Sequence, residues 1–225
     1  MTGKFIVLEG IDGSGLTTQA RLLAEAFART DPPVKVHVTK EPSDGPIGVQ
    51  VRQVLSGRVT VPPYALALMF AADRLDHLEH AVLPRLADGV HVICDRYYLS
   101  SLAYQALHAE MGWVAGINAH CRVPDLTIFL KVPVGESVRR ISAGRFGREL
   151  FEADDTLMRV RSHYLRLLTG LVAFGEQVVS IDGARSRADV CDDVRRAVMS
   201  ALQAPVASAR TLAELGRFWS QAESA

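Results

Sequence analysis

The stretch Phe5–Gln19, "FIVLEGIDGSGLTTQ", constrains the fold more than any other part of the chain. An apolar, β-branched run stops at a glycine-rich loop, and the loop leads into the helical pattern "TTQARLLAEAFAR". Glycines let successive backbone N–H groups turn inward around an anion, and the following helix aims its positive end at the same place. The spacing G-x-x-x-x-G-K-[ST] is met by Gly10, Gly15 and Thr17, but Leu16 stands where the lysine belongs. A plain strand-to-helix turn is the competing reading of this loop taken alone.

Comparable β-branched runs start at Val34, Val90, Leu126 and Gln177, with segments of helical period between them. In one of these, Val190, Val194, Val198 and Leu202 recur every fourth residue on one face. Strands alternating with helices predict an α/β fold, a five-stranded parallel sheet with helices on both faces. In such folds ligands bind beyond the carboxyl ends of the strands, so the residues after each strand are the ones to inspect. The length of 225 residues fits one domain, here 1–204, followed by an extension over 205–225.

Composition narrows the partners. With 25 basic and 25 acidic residues the formal charge is zero, which gives no whole-surface attraction to nucleic acid. Cys94, Cys121 and Cys191 are scattered and odd in number, a pattern of reduced thiols rather than of disulfides or a zinc site. No apolar run approaches the roughly 20 residues that cross a bilayer, and "KFIVLEG" begins at once. The expectation is a cytoplasmic protein with no membrane partner.

The strand ends carry the chemistry. Lys40 and Glu41 follow the second strand, with Arg52 on the next helix. Phe70 and Arg74 lie four apart in "LMFAADRLDHLEH", so one helical face offers a stacking ring beside a guanidinium. Asp95 and Arg96 end the apolar third strand. There a carboxylate suits Mg²⁺ and an arginine suits a phosphate, and buried charges at a strand tip need partners. After the fourth strand, Arg139, Arg140, Arg145 and Arg148 crowd a stretch interrupted by Gly144 and Gly147. It reads as a flexible basic lid over about 139–152. Taken singly, the Lys40–Glu41 turn and the arginine stretch also read as solvated charged surface, and Phe70 with Arg74 as a core phenylalanine beside a surface ion pair.

In order and spacing, "FIVLEGIDGSG", "EP", "FAADR", "DRYYLSSLAYQ" and "PDLTIFL" resemble the segments of thymidylate kinases, P-loop nucleoside monophosphate kinases that phosphorylate dTMP with ATP and Mg²⁺. The resemblance runs from about Phe5 to Leu202 and implies the three-layer P-loop NTPase fold and a homodimer. It implies that Gly10, Gly13, Ser14, Gly15, Leu16, Thr17 and Thr18 surround the ATP phosphates, with Thr17 and Asp95 at Mg²⁺. It places Asp12 by the acceptor sugar and phosphate and Glu41 beneath the acceptor pocket. Phe70 and Arg74 would meet the base by stacking and hydrogen bonding. Arg52 and Arg96 would hold the dTMP phosphate, and Ser100, Ser101, Tyr104 and Gln105 would line the deoxyribose and base.

Departures from the family pattern fall on the donor side. Leu16 replaces the loop lysine, Leu150 replaces a lid arginine, Lys40 stands for an arginine, and Lys131 for an acidic residue. Arg145 and Arg148, or alternatively Lys40 and Lys131, are the candidates to supply the missing charge. The expected reaction is direct transfer of the ATP γ-phosphate to dTMP. The alternatives are a catalytically weak nucleotide-binding homologue, or a kinase for another pyrimidine nucleotide or nucleoside. In the extension, Leu212, Leu215 and Trp219 would share one stripe of a helix beside Phe218, against the chain's own helices or a partner subunit.

Overall fold

The computed structural model describes residues 2–144, 150–204 and 210–215. In chain order it builds β1 (Phe5–Glu9), α1 (Leu16–Ala28), β2 (Val36–Lys40), α2 (Pro46–Leu55) and α3 (Pro63–His77). A π-turn (Leu78–Val82) then leads into α4 (Leu83–Ala87). There follow β3 (His91–Asp95), α5 (Tyr98–Tyr104), α6 (Met111–Ile117), β4 (Leu126–Lys131), α7 (Val134–Gly144), α8 (Leu150–Ala173), β5 (Val178–Asp182) and α9 (Arg187–Gln203). The five strands form one parallel sheet in the order β2-β3-β1-β4-β5.

The central position of β1 explains its uninterrupted apolar run. A strand flanked on both edges and covered on both faces has no solvent side to alternate toward, and all five of its residues are buried. Its side chains still divide by the two-residue period. Phe5 and Val7 enter one apolar layer with Cys94, Phe129, Tyr97, Leu102, Tyr164 and Leu167. Ile6 and Leu8 enter the other with Leu23 and Phe27 of α1 and Val190, Val194 and Val198 of α9. The four-residue spacing on α9 thus marks the stripe laid on the sheet, and Leu202 packs at its margin.

The second strand begins at Val36 rather than Val34. The Val34 N–H is taken by the end of α1, at 3.2 Å from the Phe27 carbonyl and 3.1 Å from Thr30 Oγ1, so the ladder starts later. At the other end, the segment 210–215 docks on its own chain. Thr211 bridges Arg122 antiparallel, Leu212 N–H donates to the Cys121 carbonyl at 2.8 Å, and Leu212 is buried. The segment Leu212–Leu215 is a 3₁₀ turn, and Phe218 and Trp219 lie outside the described residues.

Candidate active site

Because the strands are parallel, their carboxyl ends share one edge of the sheet, where Glu9, Lys40, Asp95, Lys131 and Asp182 terminate the five runs. The glycine loop leaves β1 at this edge. Gly13 and Gly15 hold φ of 78° and 96°, left-handed values that L side chains resist. A Cβ on Gly13 would stand 2.6 Å from the Ser137 carbonyl, so this glycine also lets the loop lie against α7. Gly15 caps α1, whose first N–H groups have no intrahelical acceptors and face the loop. Gly10, Gly13, Ser14, Leu16 and Thr18 therefore frame a backbone turn at a helix N-terminus, a geometry that can receive an anion.

Leu16 sits at the first turn of α1, 5% exposed, within the apolar layer that holds Leu8, Ala20 and Leu130. The position of the lysine has been absorbed into the core. Thr17, one residue on, is exposed, and its Oγ1 lies 2.5 Å from Asp95 Oδ2. Burial raises the Asp95 carboxyl above its ordinary range, while the Thr17 hydrogen bond and the nearby Arg96 and Lys40 charges pull it back. Two hard oxygens so placed beside a phosphate cradle are the donor type Mg²⁺ accepts.

Arg96 is the one non-glycine residue with positive φ, 70°, among those described. Left-handed backbone costs an ordinary residue energy, and here it turns the side chain back over the loop. Its Nη1 donates to the Gly10 carbonyl at 3.0 Å and to Ser100 Oγ at 3.2 Å. Its Nη2 donates to Asp12 Oδ1 at 2.8 Å, and the guanidinium stands over the Tyr104 ring. The Tyr104 hydroxyl in turn accepts from the Asp12 N–H at 3.0 Å. Asp12 of the glycine loop joins Arg96, Ser100 and Tyr104, which recur every fourth residue after β3, in one connected unit.

Arg74 is 1% exposed. Nε donates to Glu41 Oε2 at 2.8 Å, Nη2 to Ser101 Oγ at 3.0 Å and Nη1 to Asn118 Oδ1. Glu41 also meets His77 Nδ1 at 3.2 Å, and His77 Nε2 meets Thr39 Oγ1 at 2.7 Å. Arg74 is thus saturated by protein on three sides. Phe70, one turn back, is half-buried. Arg52 is held by the carbonyls of Pro42 and Ser43 and by Asp44, at 3.4 Å from the latter, rather than by anything on the loop. Gln105 Oε1 is buried without a hydrogen-bond partner, an acceptor awaiting a donor.

A cleft of about 980 Å³ runs from the glycine loop past Lys40, Glu41, Asp95 and Arg96 to Arg139 and Arg140 of α7 and to Gly183, Arg185 and Arg187 beyond β5. Lys40 lines it, with Nζ 3.5 Å from Asp44. Lys131, at the tip of β4, is exposed and does not. Arg139 and Arg140 both pair with Glu136, and Arg140 reaches the Gly183 carbonyl at 3.0 Å. The proposed lid therefore begins as an ordered helix end, while Arg145 and Arg148 lie outside the described residues. Glu41, His77 and Cys94 bring ligand-type atoms within 4.8 Å of one another. Glu41 and His77 are already committed, and the Arg74 charge beside them opposes a cation.

The residues sequence reasoning missed are Glu9, Asn118, Tyr164 and His77. Glu9 carries the same signal as Asp95, an acid closing an apolar strand. Asn118 carries none, since its partnership with Arg74 exists only once α3 and α6 meet.

The family described as thymidylate kinase matches residues 8–194 of the chain. A protein of Pyrococcus horikoshii named "Probable thymidylate kinase" is 44% identical over 173 residues, covering 74% of this chain and 83% of that one. One of Pyrobaculum calidifontis with the same name is 41% identical over 191 residues, covering 84% and 93%. The solved thymidylate kinase of Candida albicans is 23% identical and matches with a TM-score of 0.76 over 93% of this chain and 98% of that one, a likeness of fold. A family model that spans most of the chain, and relatives 44% and 41% identical over about three quarters of it or more, show that this protein belongs to the thymidylate kinase family.

Proposed function

We propose that the protein transfers the γ-phosphate of ATP to dTMP, giving dTDP, by in-line attack of an acceptor phosphate oxygen. The observation that carries this reading is the left-handed Arg96. One guanidinium touches both the Gly10 carbonyl of the donor cradle and Asp12 on the acceptor side. An arginine so pinned holds the acceptor phosphate at a fixed distance from the donor, which is where most phosphoryl-transfer catalysis resides.

Thr17 and Asp95 would hold Mg²⁺, which when bound neutralises charge on the transferring phosphates. Arg139 and Arg140 line the donor end of the cleft, and Arg145 and Arg148 are the further lid cations assigned to the donor phosphates. Phe70 supplies a face for the base, and the orphaned Gln105 oxygen suits the ring N–H of a thymine or uracil. Arg74 acts from beneath, as the cation that fixes Glu41, Ser101 and Asn118 in the pocket floor. Arg52 completes the phosphate grip when the acceptor draws it from Asp44.

The homodimer rests on α3. Tyr64, Leu68 and Leu75 are 44%, 50% and 38% exposed and fall on one helical face. An apolar stripe of that kind marks a contact, and a second copy of α3 across a two-fold axis would cover it. No described helix is long and apolar enough to cross a membrane, and the reading is of a cytoplasmic enzyme.

Turnover with Mg²⁺-ATP across dTMP, dUMP, dCMP, dGMP and thymidine tests the acceptor. dTMP should show the highest kcat/KM. A tenfold preference for any other acceptor would overturn the assignment.

A further inference from the structure

Beneath Arg96 lies a buried acid that no role above uses. Glu9 is the last residue of β1, and its side chain is fully buried. Its Oε1 accepts from the Tyr97 N–H at 3.0 Å and the Ser100 N–H at 3.3 Å. Its Oε2 accepts from Ser100 Oγ at 2.7 Å and the Tyr164 hydroxyl at 2.8 Å. Ser100 Oγ and the Tyr164 hydroxyl are themselves 2.8 Å apart. The same Ser100 oxygen accepts from Arg96 Nη1 at 3.2 Å. One hydroxyl therefore stands between a buried carboxyl and the arginine of the acceptor site, and Tyr164 ties the arrangement to α8, the helix that follows the lid.

We propose that Glu9 is a positioning residue for Arg96: through the Ser100 hydroxyl, its carboxylate fixes the guanidinium in the orientation that meets the acceptor phosphate. An ionised carboxylate only accepts hydrogen bonds. Both hydroxyls then donate to Glu9, and the Ser100 lone pairs are left for Arg96. A protonated Glu9 becomes a donor and competes with Arg96 for those lone pairs, and the charge that strengthens the chain of hydrogen bonds disappears. The inference rests on the reading that Arg96 grips the acceptor phosphate.

The pocket is built so that this one group changes charge near neutrality. Burial pushes the Glu9 carboxyl up to about 7, against the pull of Ser100, Arg96, Tyr164 and Tyr97. The other titratable groups that feel its charge are Arg74 of α3, Cys94 of β3, Tyr98 of α5 and Tyr164 of α8. Burial pushes Cys94, Tyr98 and Tyr164 upward, away from neutral pH, and Arg74 and Arg96 stay charged. The positioning effect is accordingly present above the Glu9 pKa and lost as pH falls through it.

The test compares kcat/KM for dTMP in the wild type and Glu9→Gln from pH 5.5 to 9 with saturating Mg²⁺-ATP. The substrates' own phosphate ionisation, near pH 6, is common to both and cancels in the ratio. The wild type should exceed the variant by about tenfold at pH 8.5, the scale of a lost charge-assisted hydrogen bond, and match it at pH 5.5. Ser100→Ala, which leaves Glu9 in place but cuts the link, should lose activity at every pH through its own contact with Arg96, yet the ratio of wild type to variant should still rise with pH, and it carries the test if Glu9→Gln does not fold. A ratio constant across pH in both variants would overturn the proposal and leave Glu9 a packing element. Arg96→Lys separates the underlying reading: it should raise the KM for dTMP while sparing that for ATP. An unchanged KM for dTMP would remove Arg96 from the acceptor phosphate and the inference with it.

Discussion

Thr17 and Asp95, one opening α1 and the other closing β3, meet with their side-chain oxygens 2.5 Å apart at the mouth of the glycine loop. A buried carboxylate with a hydroxyl at that distance is a hydrogen-bonded pair that a divalent cation would open and replace. Asp95→Asn keeps the shape and removes the charge. Its kcat should fall about 10²–10³-fold, the loss typical of one preorganised electrostatic contact, and the Mg²⁺ concentration for half-maximal rate should rise. An unchanged Mg²⁺ titration would place the metal elsewhere.

Leu16 shows how the loop has adapted. Its side chain packs among Leu8, Ala20 and Leu130 but also borders the cleft. In Leu16→Lys the ammonium can reach the cleft only by withdrawing the stem from the core. The variant should lose about 1–2 kcal/mol of stability and gain less than tenfold in kcat. A thousandfold gain would show that nothing has taken over the lysine's charge.

Lys40 and Lys131 are separated by the geometry, since only Lys40 lines the cleft. Lys40→Met should lower kcat with a smaller effect on the KM for dTMP, the pattern of a contact made mainly in the transition state. Lys131→Met should leave both unchanged. Alanine at Arg145 and Arg148 together apportions what remains. A large kcat loss there with none in Lys40→Met would assign the donor charge to the lid.

Arg74 is a structural cation, buried and held by three protein partners. Arg74→Ala strands the buried Glu41 carboxylate and frees Ser101 and Asn118. Breaking one side of a buried pair costs about 3–5 kcal/mol, so the melting temperature should drop by roughly 10 °C. A drop of under 2 °C would show that Glu41 finds another partner.

Truncation after Pro205 removes Leu212 from the core and the Arg210–Glu176 pair, 2.7 Å apart. Since the described part of the tail docks on its own chain, sedimentation should show the proposed dimer undiminished, with a lower melting temperature. A weakened dimer would carry the tail across to the partner.

Much of this was legible in the sequence because it depends on local pattern. The strand runs, the period of α9 and the glycine loop follow from side-chain periodicity and backbone freedom, and the acids and bases at the strand tips follow from the direction of a parallel sheet. What stayed hidden depends on tertiary contact. Phe70 and Arg74 are neighbours on α3, yet Arg74 turns inward to Asn118, whose partnership no local rule announces. Arg52 and Arg96 read as equivalent phosphate ligands, but only Arg96 reaches the loop, because its backbone adopts a left-handed turn that sequence does not advertise for arginine. Leu16 read as a missing charge, whereas its surroundings make it a core residue.

Whether a glycine loop without its lysine still serves phosphate transfer is decided by measuring ATP binding by calorimetry and dTMP-dependent ATP turnover on the same preparation. Binding is expected together with a kcat of about 1–100 s⁻¹, the ordinary range for such kinases. ATP binding with no dTMP-dependent turnover would refute phosphate transfer at this loop and leave the protein a nucleotide-binding homologue.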